Sequence, residues 1–213
     1  MSEPIKLPNQ NTESYSPKKP EILSMVEELC AEHIIETVVI EGVEFTILEK
    51  AKTVYAGSYF VASDLNSEPD IGASCQWFQD NYSRIIDSVT PDCMICLSID
   101  YATSERPCAM LHGQETTNIS QPEGVHILEA KPTMLIRVKA TDKAWALTKK
   151  ITGEDDPQWH MAPLFGLIRR IFCEGDQYNY EFNGCNGNGN EEAEYYYFNG
   201  DKYVTVPVKR REA

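Results

Sequence analysis

A carboxylate and several aromatic rings alternate near the C-terminus of the chain, at Glu192, Glu194, Tyr196 and Phe198. If residues 192–198 form a β-strand, these four side chains share one face, and Tyr195 and Tyr197 lie on the other. A carboxylate among aromatic rings can hold an organic cation through its charge and through the ring faces. The same alternation is also typical of the polar edge of an ordinary amphipathic strand, so the pattern leaves both interpretations open.

The cysteines and histidines form no local motif. Cys93 and Cys96 have the CxxC spacing of redox and zinc sites, but they open an apolar segment that reads as a strand. Positions three apart on a strand point to opposite faces, so we predict structural cysteines and no metal or cofactor site. The histidines are dispersed along the sequence, at His33, His112, His126 and His160. A Cys–His or Ser–His nucleophilic pair stays open, because such pairs are assembled by the fold.

Composition limits the classes of partner. The chain has 213 residues and a formal net charge of −14 at pH 7. This charge argues against direct nucleic-acid binding, which needs clustered Lys and Arg, and favours a cationic small molecule or a basic protein surface. No apolar run approaches the roughly 20 residues that span a bilayer, and the polar start has no signal-peptide core. We therefore expect a cytoplasmic protein with reduced thiols and no membrane partner.

Hydrophobic periodicity outlines the elements that would position these residues. Residues 1–20 are polar and predict a disordered tail, and residues 21–42 predict a short helix and a strand. Further on, strands are predicted at 43–48, 53–61, 93–101 and 107–116, with a helix over 71–89 that ends before Pro91. Extended chain follows at 124–140, and a helical region of 142–172 is broken at 153–157. Residues 183–190 predict a flexible Asn/Gly loop, and Asn199-Gly200 predicts a hairpin turn.

The order strand, helix, strand, strand occurs twice, in residues 43–116 and again in residues 124–209. A unit of this kind used twice predicts an α+β fold, in which an antiparallel sheet carries both helices on one face. The halves show no similarity of sequence, so the duplication is inferred from the order of the elements alone.

Several segments resemble the GyrI-like effector-binding family. Glu194-Tyr195-Tyr196, the hairpin and the ending Tyr203–Val208 are similar to the close of that family's domain, which has Glu beside Tyr and a last strand ending in Pro-Val. Thr53–Ser58 resembles its first strand, and Gln76-Trp77-Phe78 resembles its first helix. Gln121–Gly124 is similar to the start of its second half. The resemblance covers residues 43–209.

The resemblance implies a duplicated β-α-β-β domain with a central ligand cleft between the halves. It implies that Glu194 is the cleft carboxylate and that Tyr196, Tyr55 and Trp77 are cleft aromatics. It also implies a stand-alone domain that binds a lipophilic, cationic small molecule, for drug or effector sensing or for sequestration, as in ligand-sensing domains of transcription regulators. The chain departs from the family in its longer 142–174 region and in the inserted 184–190 segment.

Two other functions stay open. The same pocket could belong to a hydrolase of cyclopropane-type DNA-alkylating natural products, with Glu194 activating water and Tyr196 donating a proton. Such family members exist, so the sequence does not decide whether the protein is an enzyme. The acidic surface could instead bind a basic protein partner, as a gyrase inhibitor would.

Overall fold

The computed structural model describes residues 29–62, 68–100, 108–157, 160–184 and 191–212. Ten strands lie in these ranges: β1 Glu32–Ile40, β2 Val43–Lys50, β3 Thr53–Ala62, β4 Cys93–Asp100, β5 Cys108–Thr116, β6 His126–Ala130, β7 Thr133–Lys139, β8 Tyr180–Phe182, β9 Glu192–Tyr197 and β10 Lys202–Arg210. The helices there are α1 Glu68–Asn81, α2 Asp142–Thr152 and α3 Ala162–Ile168, with a 3₁₀ turn at Tyr82–Arg84 and a π turn at Arg169–Cys173. The α+β class predicted from the sequence is confirmed.

The ten strands form one antiparallel sheet in the order β1-β2-β7-β10-β9-β4-β5-β3-β6, with β8 paired to β10. Strands β2 and β3 stand far apart in this order, although only Ala51 and Lys52 separate them along the chain. Strands β6 and β7 are likewise separated by only residues 131 and 132. A two-residue link spans only a few ångströms per residue, so the sheet must curl until its two outer parts approach each other.

The curled sheet has two faces with different packing. On one face, helices α2 and α3 pack on strands β2, β7 and β10. This core contains Phe45, Ile136, Phe172 and Val206. Helix α1 packs on the same face over Ala56. The opposite face is covered by the curl of the sheet itself, and its core contains Ile95, Leu97, Leu111 and Tyr195. We call these the helix face and the inner face.

Local sequence explains where the second helical region begins and breaks. The Thr141 side chain accepts a hydrogen bond from the Ala144 backbone N–H and caps the start of α2. Gly153 ends this helix in the left-handed conformation, with φ of 82°, which glycine adopts without steric penalty. The predicted break at 153–157 is therefore confirmed, and the helical chain resumes at α3.

Two glycines let β3 and β5 approach closely. Gly57 and Gly113 face each other across this pair of strands. A Cβ atom added to Gly57 would lie 2.0 Å from the His112 carbonyl oxygen, and one added to Gly113 would lie 2.2 Å from the Ala56 carbonyl oxygen. These positions therefore require glycine for the close approach of two backbones.

Two predicted elements differ from the structure. The helix predicted over 71–89 ends at the 3₁₀ turn, since Ile85 is extended and Asp87 has a positive φ of 52°. Its last predicted apolar positions, Ile86 and Val89, are exposed rather than packed. The extended stretch 124–140 is two strands that pair at different ends of the sheet. The tail at 1–20, the helix predicted before residue 29 and most of the 183–190 loop lie outside the described residues.

No helix in the described ranges has the length and apolar character needed to span a membrane.

Candidate functional site

The centre of the candidate site is the Glu194 carboxylate on β9. Strand β9 lies between β4 and β10, and Glu194 faces Cys96 on one neighbour and Val204 on the other. The side chain points to the helix face, and the residue is only 8% exposed. Its Oε1 accepts a hydrogen bond of 3.0 Å from the backbone N–H of Met161, the residue that precedes α3. The start of α3 thus holds this carboxylate in place.

Tyr196 is the second member of the site. Its hydroxyl donates a short hydrogen bond to Glu194 Oε2. The phenol and the carboxylate stand two residues apart on one face of β9, as the predicted alternation requires. The Lys202 ammonium lies 5.7 Å from the centre of the Tyr196 ring, so a cation already rests on this ring face. Phe198, the fourth residue of the predicted alternation, lies beyond the end of the strand and is exposed.

The pKa of Glu194 is raised above its ordinary value because the group is buried. The hydrogen bonds from Tyr196 and Met161 and the charge of Lys202 oppose this shift. Among the described residues, no Lys, Arg or His forms an ion pair with Glu194 within 4 Å. Glu194 is therefore a buried carboxylate that two hydrogen-bond donors hold without a direct cationic partner.

A second carboxyl group, that of Glu192, is buried beside the first. Glu192 points to the helix face with 0% exposure. Neither of its oxygens accepts a hydrogen bond from a residue that the structure describes, and Arg169 Nε lies 3.5 Å from Oε1 as an ion pair. Burial and then the charge of Glu194 raise the pKa of Glu192 to about 8. The raised pKa favours the protonated form of Glu192 at neutral pH.

A cavity of about 230 Å³ opens against Tyr196. Its remaining walls are Ala140, Trp145, Asp156, His160, Met161, Gly200 and Lys202. Its exposed surface is more polar than apolar, and Trp145 and Met161 contribute to its apolar part. Glu194 itself does not line this cavity, but Tyr196, which does, is hydrogen-bonded to it.

Of the two other predicted cleft aromatics, only Trp77 lies on the same side of the sheet. Trp77 is half-buried on α1 and packs against the separate cluster of Ala56, Phe78 and Ile85. Tyr55 lies on the inner face, in the cluster that contains Tyr195 and Ile95. The prediction that Tyr55 lines a cleft with Glu194 does not fit this geometry, because the strand pairing puts the two side chains on opposite faces of the sheet.

The inner face contains a second buried charge cluster, which the sequence analysis missed. Lys50 Nζ lies 2.5 Å from Glu115 Oε1, and these residues are 3% and 4% exposed. The Tyr195 hydroxyl donates a 3.2 Å hydrogen bond to the same Glu115 oxygen. Lys50 also contacts Glu32 at 3.2 Å, and Glu32 accepts two hydrogen bonds from the Arg137 guanidinium. We call Lys50, Glu115, Tyr195, Glu32 and Arg137 the inner-face network.

Charges and hydrogen bonds are matched throughout the inner-face network. Burial alone raises the pKa of Glu32, but the Arg137 and Lys50 cations outweigh it and lower that pKa to about 2. Burial alone lowers the pKa of Lys50, whereas its tyrosine and carboxylate neighbours raise it well above the ordinary value. Glu32 and Lys50 thus keep their charges at neutral pH. This arrangement is typical of a structural ion-pair network.

A cysteine–histidine cluster also lies on the helix face. His112 Nε2 lies 3.1 Å from Cys96 Sγ, and Nδ1 lies 3.6 Å from Cys75 Sγ. Burial lowers the pKa of His112 to about 4 and raises the pKa of Cys75. At neutral pH a neutral imidazole thus faces a neutral Cys75 thiol, unlike the ion pair of a cysteine nucleophile. Cys93 packs on the inner face instead, which confirms that the CxxC cysteines point apart.

Within the described ranges, no three metal-ligating side chains converge on one point.

A groove of about 700 Å³ lies elsewhere. Lys50, Glu32, Pro132, Met134 and Lys209 are among its walls. Both of these lysines are already paired, since Lys50 contacts Glu32 and Glu115, and Lys209 contacts Glu181. We therefore place the candidate site at Glu194 and Tyr196, where a carboxylate is buried without a direct cation.

Sequence reasoning could have found part of what it missed. Glu192 belongs to the alternating pattern of β9. That its carboxyl group is buried beside Arg169 of the π turn depends on contacts between distant segments, which the pattern does not predict. Lys50 and Glu115 stand 65 positions apart and meet only because the sheet curls. Trp145, Met161 and Lys202 come from three segments, and the sequence holds no signal that joins them.

No protein-family model matches the chain, and no curated protein matches it. Three solved structures illustrate what it is similar to. The C-terminal domain of EcmrR matches with a TM-score of 0.49 and 14% identity, over 79% of this chain and 98% of that one. EcmrR in its complex with DNA matches with a TM-score of 0.48 and 11% identity, over 80% of this chain and 59% of the EcmrR chain.

The third structure is a protein from Staphylococcus aureus MU50 described as a bacterial transcription regulator. It matches with a TM-score of 0.46 and 13% identity, over 79% of this chain and 99% of its own length. All three TM-scores are below 0.5, so our assignment of the site depends on its geometry, and membership of the GyrI-like family stays a prediction.

Proposed function

We propose that this chain is a binding domain for a lipophilic, cationic small molecule, and that Glu194 and Tyr196 are its principal binding residues. The observation that carries this proposal is the buried Glu194 carboxylate, which accepts two hydrogen bonds but has no ion pair among the described residues. A buried carboxylate without a counter-ion is unfavourable unless a partner offsets its burial. A ligand cation is the partner that this geometry favours.

The surroundings of Glu194 fit such a ligand. The cavity beside Tyr196 provides aromatic and apolar walls from Trp145 and Met161. The ring face of Tyr196 already attracts the Lys202 ammonium, so it has the electrostatics that a ligand cation needs. Lys202 is exposed, and it can swing into solvent when a ligand cation takes its place. The formal net charge of −14 also attracts cations to the protein.

We further propose that residues 43–209 are one binding domain made of two like-built halves. In residues 43–116, β3 pairs with β5, and β5 pairs with β4. In residues 124–209, β7 pairs with β10, and β10 pairs with β9. The pairing order is thus the same in both halves, and β4 and β9 join them. Glu194 and Cys96 are partners across this junction, which agrees with a ligand cleft between the halves.

Titration with a rhodamine dye tests the binding role. Wild type should bind the dye, and Glu194→Gln should weaken binding by at least tenfold, because the amide keeps the shape but loses the charge. The matched control is Glu181→Gln, a half-buried glutamate on β8 whose substitution should leave affinity unchanged. Equal affinity of wild type and Glu194→Gln would contradict the proposed role of this carboxylate.

The contact between Tyr196 and Glu194 also favours a second candidate, hydrolysis in the same pocket. Burial and then the Glu194 carboxylate raise the pKa of Tyr196, so the phenol keeps its proton at neutral pH and can act as a general acid. Glu194 could then accept a proton from an attacking water molecule. The substrate class would be a spirocyclopropane alkylating agent, as the resemblance to the GyrI-like family implies.

Incubation of the protein with a spirocyclopropane alkylating agent separates the two candidates. A hydrolase would convert it to the ring-opened alcohol, and Glu194→Gln and Tyr196→Phe would both abolish that product. A binding domain would bind the compound and return it unchanged. The second result would remove hydrolysis from consideration and leave the binding proposal intact.

A further inference from the structure

The second buried carboxyl group at the site has no role in the function proposed above. Glu192 and Glu194 share the helix face of β9, and the first is 0% and the second 8% exposed. Glu194 accepts hydrogen bonds from two donors, whereas neither oxygen of Glu192 accepts one from a described residue. The two groups therefore differ in how well the protein stabilises their ionised forms, and Glu192 is the group that lacks this stabilisation.

We propose that Glu192 is a second carboxyl group of the ligand site, and that it releases its proton to solvent when a cationic ligand binds beside Glu194. This inference rests on the proposed function, since it requires a cation at that site. The reaction is a simple exchange, in which the ligand cation enters, the Glu192 O–H bond breaks and the proton leaves in water. The Glu192 oxygen keeps the electron pair as a carboxylate.

The charges around Glu192 support the exchange. Glu192 is 0% exposed, and the Arg169 guanidinium lies 3.5 Å from its Oε1. A ligand cation beside Glu194 adds a second positive charge close to Glu192. Nearby positive charge favours the ionised form of a carboxyl group, so a bound cation lowers the pKa of Glu192 and releases its proton.

Other groups that face the pair do not supply this proton. Ser98 lies across from Glu192 on β4, and Cys96 lies across from Glu194. The neighbouring phenol and thiol, those of Tyr196 and Cys75, have raised pKa values because they are buried. His112, which contacts Cys96, has its pKa lowered to about 4 by burial and has no proton to lose above that range. His160, which lines the cavity, has its pKa lowered by burial and is mostly neutral at pH 7. Burial and Glu194 raise the pKa of Glu192 to about 8, so it holds a proton at pH 7.

Calorimetric titration of a rhodamine dye at pH 7, in two buffers of different ionisation enthalpy, counts the protons released. We expect wild type to release about one proton per dye molecule more than Glu192→Gln does. The affinity of wild type should rise up to tenfold per pH unit between pH 6 and 7.5. In a plot of the logarithm of affinity against pH, the slope for Glu192→Gln should be smaller by about one, since one proton fewer is released. The Glu181→Gln control should match wild type. The uncharged dihydro form of the dye should release no proton.

The outcomes separate this inference from the function on which it rests. If the dye binds both proteins with equal proton counts, Glu192 has no part in binding, and only this inference fails. If the dye does not bind wild type, both fail. Carbon NMR of the free protein adds a test without ligand, in which the Glu192 carboxyl resonance, identified by its loss in Glu192→Gln, should titrate near pH 8. Titration near pH 4.5 would overturn the inference.

Discussion

Two buried glutamates on opposite faces of one sheet show how differently the same side chain can be used. Glu115 on the inner face is held by the Lys50 ammonium at 2.5 Å and by the Tyr195 hydroxyl. Glu194 on the helix face is held by the Tyr196 hydroxyl and by a backbone N–H, with no ion pair in the described structure. Strand β9 contributes to both sites, because Glu194 and Tyr195 are consecutive and point to opposite faces.

The difference supports our proposal that Glu194 is available to a ligand, whereas Glu115 is paired within the fold. Lys50 and Glu115 come from strands that only the curl of the sheet brings together, so their pairing favours that curl. Replacing either partner alone would leave the other charge buried and unpaired. Glu194 has no such partner to lose. Its substitution should therefore affect binding more than folding.

The largest expected effect is that of Glu115→Gln. The amide leaves the Lys50 ammonium buried without its nearest carboxylate, and we expect a loss of about 3–5 kcal/mol in the free energy of unfolding. Urea denaturation measures this loss. The control is Glu129→Gln, which removes an exposed ion pair with Lys52 and should change stability by less than about 1 kcal/mol. Equal effects of the two variants would show that the inner-face network is not a structural ion pair.

Replacing both partners should be milder than replacing one. The double variant Lys50→Met with Glu115→Leu removes both charges from a site that is closed to water, so no unpaired charge remains. We expect it to recover at least half of the stability that Glu115→Gln loses. The denaturation midpoints of both variants check this expectation, and losses that simply add up would contradict direct coupling of the two residues.

A smaller effect on folding is expected for Glu194→Gln. Since the carboxylate has no cationic partner, the neutral amide should shift the free energy of unfolding by no more than about 1 kcal/mol, in either direction. The urea experiment used for Glu115→Gln checks this directly. A loss as large as that of Glu115→Gln would mean that Glu194 is a structural carboxylate, and the contrast between the two faces would disappear.

The contrast between the faces was only partly accessible from the sequence. Period-2 alternation correctly predicted that Glu194 and Tyr196 share one face and Tyr195 the other, because side-chain direction in a strand follows from local geometry. The partners that give these groups their character, Lys50, Glu115 and Met161, lie far away along the chain. The resemblance grouped Tyr55 with Glu194. The pairing of β3 with β5 determines on which face of the sheet the Tyr55 side chain lies, and this pairing joins segments that are distant in sequence.

The same reasoning explains the boundaries that were predicted less well. Thr141 and Gly153 carry local capping signals, and the helix between them begins and ends as those signals indicate. Ile86 and Val89 continue the apolar spacing of α1, yet the chain leaves the helix before them. Their spacing fits a helix, but tertiary contacts hold this segment against β5. Ser88 forms a β-bridge with Thr116, and the Val89 backbone N–H donates a hydrogen bond to the Glu115 carbonyl oxygen.

The smallest expected effect is a difference in pH dependence. The folded-state pKa of Glu192 is raised to about 8 from 4.5, so the folded protein binds more protons there, and this group lowers stability as pH rises from 4.5 to 8. Glu32 affects stability in the opposite sense, since its pKa is lowered to about 2. The stability that this group adds is present above pH 4.5 and is lost as pH falls toward 2.

Thermal unfolding as a function of pH separates these two contributions. Compared with wild type, Glu192→Gln should gain stability at pH 8 and show little change at pH 4. Glu32→Gln should lose stability at pH 7 and less at pH 3. Parallel profiles for wild type and both variants would contradict the assignment of opposite charge environments to the two faces.

The most direct test of the ligand site is a crystal structure of the protein with a bound rhodamine dye. We predict that the dye occupies the cavity beside Tyr196, with its cationic group within about 4 Å of the Glu194 carboxylate. The Lys202 ammonium should have left the Tyr196 ring. A dye bound in the groove at Lys50 and Met134 instead, with the contact between Glu194 and Tyr196 unchanged, would contradict the proposed site.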